Sequence, residues 1–362
     1  KYGGGIFLLV YIILALTFGY TLIMAETSLG RMTRKSPVGA FGNFGKSRFI
    51  SLGGWINAII PILIVPYYSV IGGWVIKYLI EYFSGHSKAL AGDTYFTSFI
   101  SNGISTEICF LIFTLFTLGI IYAGVRNGIE RVSKFMMPIL IVLSLIIAVY
   151  SVTRPGAIEG VKYFLVPNFE HFSWMTVVSA MGQMFYSLSI AMGILITFGS
   201  YMKKDTSIEK STENVEIFDT AIAIMAGLMI IPAVFAFSGG DAATLKSGPA
   251  LMFITIPKVF ANMGFGTAIG IVFFLLVLFA AVTSSIALTE SAVSTFEDEL
   301  HWSRRKSTVF MGVIMILLGT LSCLGYGPLV DFKILGMQFL DFFDFMTNSV
   351  MMPIAAIATC LL

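Results

Sequence analysis

Long apolar segments recur along the whole chain, and they constrain the fold more strongly than any other feature. A helix that crosses a bilayer needs roughly 20 mostly apolar residues, and about nine stretches meet this requirement. In chain order they are residues 6–30, 51–83, 104–123, 132–151, 173–200, 214–238, 265–296, 307–326 and 338–362. Hydrocarbon offers no partner to an unpaired backbone group, so only helices or closed barrels can span it, and these lengths indicate helices. The sequence therefore predicts an all-α polytopic membrane protein.

The composition excludes several other classes of protein. Hydrophobic residues make up 57% of the chain and charged residues 12%, whereas a soluble domain carries about a quarter charged residues. The net charge is +2, and no basic cluster adjoins an aromatic platform, so nucleic-acid binding is not indicated. The chain has no HExxH or GxSxG motif, and its cysteines and histidines show no metal-binding spacing. The sequence therefore predicts neither an enzyme nor a structural metal centre, and it indicates no obligatory protein partner.

The distribution of Lys and Arg predicts the orientation in the membrane. Most of the 22 basic residues lie in the odd-numbered connections between the predicted helices. Basic connections stay on the cytoplasmic side. We therefore expect residue 1 outside and residue 362 inside a cell membrane.

One outer connection, residues 239–264, is long and moderately apolar. Two structures are compatible with it. It could dip back toward the protein as a hairpin that acts as a lid, or it could be an ordinary packed surface loop.

Two polar stretches lie inside predicted helices. Residues 182–193 are rich in small and hydroxyl side chains, and residues 280–285 contain three consecutive hydroxyls. The first could unwind to line a cavity, as broken helices in transporters do, or it could be a continuous helix at a tight contact. The second could offer hard oxygen ligands to Na⁺, or its hydroxyls could simply bond back to their own helix.

Acidic side chains also occur in or near the spans. Asp219 lies inside the stretch 214–238, where an acid is costly unless it is paired or hydrated. Glu26 and Glu290 lie nearer the inner ends of their helices, and Asp341 and Asp344 lie near the outer end of the last one. Each of these acids has a functional interpretation and a structural one. In the structural interpretation the carboxylate reaches the membrane boundary or lies at an exposed helix end.

A series of motifs, taken together, resembles one family. The motifs are residues 2–7 (YGGGIF), 26–31 (ETSLGR), 67–74 (YYSVIGGW), 154–160 (RPGAIEG), 187–193 (SLSIAMG), 283–287 (TSSIA), 296–299 (FEDE) and 341–344 (DFFD). In this order and at these spacings the chain resembles the neurotransmitter:sodium symporter family, in its bacterial amino-acid branch. The resemblance covers essentially the whole chain.

The resemblance implies the leucine-transporter fold, a bundle of two inverted repeats. Residues 1–151 would be the remainder of the first repeat, without its first helix, and residues 173–362 would be the second. The predicted spans would then be the family's helices 2 to 10, so we expect a chain truncated at both ends. Both Na⁺ sites would be incomplete, because the family's first helix supplies many of the ligands.

The resemblance also assigns site residues by position. The substrate pocket would be formed by Ile64, Tyr68, Tyr186, Ser187, Ser189, Met192, Ser284 and Leu288. Ala191 stands where relatives usually have Gly, which implies an extra methyl group in the pocket wall.

Ion ligands and gates follow in the same way. The first Na⁺ site would include Ser187 and Asp219, and the second would include Ala280, Thr283 and Ser284. Asp219 replaces the Asn of the family pattern, which implies that chloride is not required. Asp344 would form the outer gate, whereas Tyr201, Asp298 and Glu290 would form the inner gate.

The function that this resemblance implies is sodium-coupled symport of a neutral, hydrophobic or aromatic amino acid by alternating access. Three alternatives remain at this point: a channel-like or receptor-like relative on the same scaffold, a non-transporting relative, or an inactive truncated product.

Overall fold

The computed structural model describes residues 4–45, 47–239 and 248–362, and these residues form helices with no β-strand. The helices are α1 (Gly5–Thr33), α2 (Pro37–Gly42), α3 (Arg48–Phe83), α4 (Ser87–Leu90), α5 (Tyr95–Ser101), α6 (Gly103–Tyr122), α7 (Val125–Val152), α8 (Ala157–Leu165), α9 (Trp174–Ser187), α10 (Ile194–Tyr201), α11 (Ile208–Ser238), α12 (Leu251–Ala261), α13 (Gly266–Leu300), α14 (Arg304–Leu324) and α15 (Phe339–Cys360).

Within the described residues, 8 helices are long and apolar enough to cross a membrane, namely α1, α3, α6, α7, α11, α13, α14 and α15. They coincide with eight of the predicted spans, which confirms the all-α membrane fold. The remaining predicted span, residues 173–200, is a pair of half-helices, α9 and α10, rather than one continuous helix.

Polar side chains mark where several helices begin. Ser47 Oγ accepts a hydrogen bond from the backbone of Ile50 before α3, and Asn102 Oδ1 accepts one from Ser105 before α6. Ser173 and Thr176 form a reciprocal capping box at the start of α9. Such caps satisfy amide groups that have no partner within the helix.

The 36 residues of α3 run through the centre of the bundle. At about 1.5 Å per residue the helix is about 54 Å long, so it tilts or projects beyond a hydrocarbon core of about 30 Å, as its sequence predicts. Helix α13 packs along it, and the fully buried Trp74 of α3 makes edge-to-face contacts with Phe96 and Phe253.

Helix α10 packs against the C-terminal half of α1 with almost no space between the two backbones. A Cβ on Gly30 would lie 1.9 Å from the carbonyl oxygen of Ile196, and one on Gly199 would lie 2.5 Å from that of Thr27. Glycine at these two positions allows the close approach. Arg34 extends the contact by donating a hydrogen bond of 3.0 Å to the carbonyl oxygen of Ser200.

The outer connection 239–264 is helical where the structure describes its central part. Helix α12 buries Phe253, Ile256 and Phe260 against the core. Tyr78 Oη of α3 donates a hydrogen bond of 2.7 Å to the carbonyl oxygen of Phe253. This segment therefore packs against the core, which both a lid and a packed surface loop allow. Residues 240–247 of the connection lie outside the described residues.

Candidate functional site

The chain leaves the helical conformation between α9 and α10. Helix α9 ends at Ser187 and α10 begins at Ile194. Between them Ser189, Ala191 and Gly193 have φ values of 56°, 59° and 69°, in the left-handed region that L-residues rarely adopt. A continuous helix is thereby excluded, and backbone N–H and C=O groups of this segment are freed from the helical ladder.

A carboxylate from α1 supports this break. Glu26 is fully buried, and its Oε1 accepts a hydrogen bond of 2.9 Å from the backbone N–H of Ala191. Its Oε2 has no hydrogen-bond partner in the described part of the chain. Because a buried donor without a partner costs about 1–3 kcal/mol, this contact stabilises the unwound backbone at Ala191.

A cavity of about 520 Å³ opens beside the break, within the range of about 300–1,000 Å³ that is usual for small-molecule sites. All of the substrate residues expected from the sequence line it, namely Ile64, Tyr68, Tyr186, Ser187, Ser189, Met192, Ser284 and Leu288. Sequence reasoning missed Gln183, one turn before Ser187, which also lines it. Ala191 does not line this cavity and is fully buried, so the expected narrowing of the wall by its methyl group is not observed.

The wall of the cavity has polar and apolar parts, and α13 contributes side chains to both. Apolar side chains come from α3 (Ile64) and α13 (Leu288), and both are buried. Hydroxyl groups come from the end of α9 (Ser187), from the break (Ser189) and from α13 (Ser284), where Ser284 is exposed in the cavity wall. The cavity therefore combines oxygen ligands with an apolar surface, which suits an amphiphilic ligand.

Ser187 and Asp219, the two residues expected at the first ion site, are in direct contact. Ser187 Oγ lies 2.9 Å from both carboxylate oxygens of Asp219. A third group, which sequence reasoning missed, is Tyr11 of α1, whose Oη donates a hydrogen bond of 2.8 Å to Asp219 Oδ2. No local motif distinguishes Tyr11 from other aromatic residues in an apolar helix, so sequence patterns alone do not single it out.

The three residues expected at the second ion site lie within one turn of α13. Thr283 Oγ1 lies 3.0 Å from the carbonyl oxygens of both Phe279 and Ala280. This hydroxyl therefore bonds back to its own helix, as the structural interpretation of residues 280–285 expects. A hydroxyl that donates its proton still has lone pairs that can bind a cation. Ala280 does not line the 520 Å³ cavity, but it lines an adjacent one of about 470 Å³ together with Asp219, Thr283 and Ser284.

Asp344, the expected outer gate, lies in the first two turns of α15. Its Oδ1 accepts hydrogen bonds from Tyr67 Oη at 3.1 Å and from Asn348 Nδ2 at 2.6 Å. The neighbouring Asp341 accepts one from Tyr326 Oη at 3.3 Å. Tyr67 and Tyr68 are adjacent in sequence but belong to different sites. Tyr67 binds Asp344, whereas Tyr68 lines the cavity at the break.

The expected inner gate separates into two groups. Tyr201 Oη donates a hydrogen bond of 2.7 Å to the fully buried Glu290, which also forms a two-pronged ion pair with Arg304. Asp298 is not part of this network, because its carboxylate instead accepts a hydrogen bond from the backbone of Ser36, just before α2. Arg304 was missed, since the sequence placed it only among the basic residues of an inner connection.

Comparison with known proteins identifies the family. The sequence profile of the sodium:neurotransmitter symporter family matches residues 1–97 and 99–362. The chain belongs to this family. Its members are sodium-dependent transporters, so the chain is a multi-pass membrane transporter and not an enzyme.

Individual relatives agree with this assignment. The chain is 35% identical over 358 residues to the sodium-dependent transporter YhdH of Bacillus subtilis, covering 98% of this chain and 78% of that protein. It is 31% identical over 370 residues to a sodium-dependent transporter of Haemophilus influenzae, covering 98% and 80%. Among solved structures, that of MhsT in complex with L-phenylalanine matches with a TM-score of 0.89 at 34% identity, covering 100% of this chain and 82% of that one. The resemblance stated from the motifs is thereby confirmed.

Proposed function

We propose that this chain functions in sodium-coupled symport of neutral amino acids with apolar side chains. One observation carries the proposal: the break between α9 and α10 opens into a cavity that Asp219, Thr283 and Ser284 also line. Unwound backbone at membrane depth is tolerated where it lines such a cavity. Ion and substrate groups therefore share one small volume, which allows the binding of one to depend on the other.

The walls of the cavity support the choice of substrate. The carboxylate and amine of a zwitterion would be met by free backbone groups of the break and by the hydroxyls of Tyr68 and Ser189, while its side chain would contact Ile64, Met192 and Leu288. No Lys or Arg lines the described cavity, and the single acid, Asp219, is engaged by Ser187 and Tyr11. A charged side chain would therefore lack a partner. The related MhsT, solved with L-phenylalanine, supports an apolar substrate.

Sodium would bind as a co-transported substrate at two places. Ser187 and Asp219 would hold the first ion, and Ala280, Thr283 and Ser284 would hold the second. These groups are hydroxyls, a carboxylate and a carbonyl, which are the oxygen ligands that a hard cation prefers. The carboxylate of Asp219 also supplies a fixed negative charge, and we propose on this ground that transport does not require chloride.

Alternating access would depend on contacts at the two ends. Asp344 would close the outer side, and the group of Tyr201 and Glu290 would close the inner side, with Asp298 holding α2 in place. We place residue 1 outside and residue 362 inside the cell membrane, and we assign residues 1–151 and 173–362 to two inverted repeats.

A thermal-shift screen tests this proposal on the purified protein. The melting temperature is measured with each of the twenty amino acids, in sodium and in choline chloride. We expect leucine, phenylalanine or tryptophan to raise it, and only in sodium, because a bound ligand stabilises the folded state. A larger effect from glutamate or lysine, or equal effects in sodium and choline, would contradict the proposal.

A further inference from the structure

A second concave surface lies on the membrane side of the bundle, where α3, α6, α7 and α13 meet. We call it the lateral groove, and it has a volume of about 510 Å³. Ile112 and Phe116 of α6, Phe135 of α7, and Leu278 and Phe279 of α13 form its walls. It shares no lining residue with the cavity at the break.

Several apolar side chains in the walls of the lateral groove remain open to the surroundings. Ile112 is 49% exposed, Phe116 54% and Phe135 66%. In a protein that spans a bilayer, these side chains face hydrocarbon rather than water. An empty apolar groove would forfeit dispersion contacts along its walls, so an acyl chain is the ligand that its surface favours.

One charged residue, Arg131, lines this otherwise apolar surface. It is the first residue of the regular α-helical part of α7, at the boundary of the apolar stretch and next to the basic inner connection. Wall residues of α7 extend from it to Met136, about 7.5 Å farther into the membrane at 1.5 Å per residue. The groove thus runs from the membrane boundary toward the middle of one leaflet.

The guanidinium of Arg131 is available for a ligand. Arg131 is exposed, and within residues 4–45, 47–239 and 248–362 it makes no hydrogen bond or ion pair. Its neighbour Glu130 is engaged instead by Lys134, at 2.7 Å. A planar guanidinium binds phosphate oxygens through two parallel hydrogen bonds.

We propose that the lateral groove is a binding site for an anionic phospholipid, with one acyl chain along Ile112, Phe116 and Phe135 and the phosphate on Arg131. A zwitterionic lipid fits the same walls, but its ammonium group offsets the attraction between its phosphate and Arg131. A basic side chain near an anionic membrane surface contributes about 1 kcal/mol. We therefore expect a preference of about fivefold for phosphatidylglycerol over phosphatidylcholine.

The groove also adjoins the residues proposed to bind sodium. Its wall residue Phe279 accepts, through its carbonyl oxygen, the hydrogen bond from Thr283 Oγ1 at 3.0 Å. A lipid chain in the groove would thus pack one turn from the second ion site. The lipid site itself stands on the groove and Arg131, independently of the substrate and ion assignments.

Native mass spectrometry of the purified protein tests the site. The delipidated protein is titrated with dioleoyl phosphatidylglycerol and dioleoyl phosphatidylcholine, and the affinity for the first bound lipid is compared. Three variants separate the contributions of charge and shape. Arg131→Gln removes the cation. Ile112→Trp places a larger side chain in the groove, at a position that is exposed and can accept it. Arg126→Gln is the matched control, since Arg126 is also exposed, lies in the first turn of the same helix α7 and does not line the groove.

We expect Arg131→Gln to abolish the fivefold preference, Ile112→Trp to weaken the binding of both lipids, and Arg126→Gln to leave binding unchanged. Equal affinity of the unmodified protein for the two lipids would overturn the proposal. So would equal losses in Arg131→Gln and Arg126→Gln, or an unaltered affinity in Ile112→Trp. Gel filtration of each variant before titration establishes that the folded protein is being compared.

Discussion

Ser187 Oγ lies 2.9 Å from both carboxylate oxygens of Asp219. Ser187 is the last residue of α9, and Asp219 lies in the interior of α11. The contact therefore fixes an acidic group at the point where the chain leaves the helical conformation. Tyr11, at 2.8 Å from the same carboxylate, connects α1 to this point as well.

The first prediction concerns the negative charge at this position. Because Asp219 supplies a carboxylate beside the proposed first ion site, replacing chloride by gluconate should leave transport unchanged. Asp219→Asn removes the charge while preserving the shape, so transport should be lost or should become dependent on chloride. Uptake in proteoliposomes in the two anions measures both effects. Chloride dependence of the unmodified protein would refute the assignment.

The second prediction concerns the hydroxyls of α13. Thr283→Val and Ser284→Ala each remove one oxygen ligand with little change in volume. A polar contact to an ion contributes about 1.5–3 kcal/mol, so the sodium concentration for half-maximal activation should rise roughly tenfold to a hundredfold.

Thr289→Val is the matched control for this series. Thr289 Oγ1 donates a hydrogen bond of 2.7 Å to the carbonyl of Ser285 in the same helix, but Thr289 does not line the cavity at the break. Its replacement should leave sodium activation unchanged. If all three variants respond equally, the hydroxyls act only on the helix, and the second ion site is misplaced.

The third prediction concerns the buried ion pair of Glu290 and Arg304. Glu290 is fully buried, and Arg304 is its cationic partner. Removing one partner of a buried pair costs about 3–5 kcal/mol, since the other charge is left without compensation. Arg304→Gln should therefore lower the melting temperature markedly, and adding Glu290→Gln should restore much of the loss. A double variant as unstable as Arg304→Gln would show that the pairing does not govern stability.

The fourth prediction concerns the close packing of α1 and α10. In Gly199→Ala the new methyl group would lie 2.5 Å from the carbonyl oxygen of Thr27, and such overpacking costs about 1–3 kcal/mol. Gly182→Ala provides the control, because nothing lies within 4 Å of a Cβ at that position. We expect thermal melting to show a loss for Gly199→Ala and none for Gly182→Ala. Equal stability of the two variants would contradict the packing.

The sequence predicted the membrane helices well because their signal is local. Twenty consecutive apolar residues can be recognised without knowing what they contact. The break at 188–193 was different, since small and hydroxyl residues there were equally compatible with a tight helix contact. The structure resolves this point through the left-handed conformations of Ser189 and Ala191 and through the distant carboxylate of Glu26.

Contacts between residues that are far apart in the sequence could not be predicted from local sequence patterns. Tyr11 reaches Asp219 across 208 residues of chain, and Tyr67 reaches Asp344 across 277. In each pair the acid was singled out, because an acid in an apolar helix is costly, whereas a tyrosine there is ordinary. The resemblance implies that Asp298 and Tyr201 both belong to the inner gate. In the structure the carboxylate of Asp298 instead accepts a hydrogen bond from the backbone N–H of Ser36, just before α2.

Uptake of radiolabelled L-leucine and L-phenylalanine into proteoliposomes is the measurement that tests sodium-coupled symport most directly. With an inward sodium gradient, we predict that at least one of them accumulates above its external concentration. Collapse of the gradient with a sodium ionophore should release it, and preloaded unlabelled substrate should drive counterflow. Equal uptake of both amino acids in sodium and in choline, without accumulation or counterflow, would contradict the account.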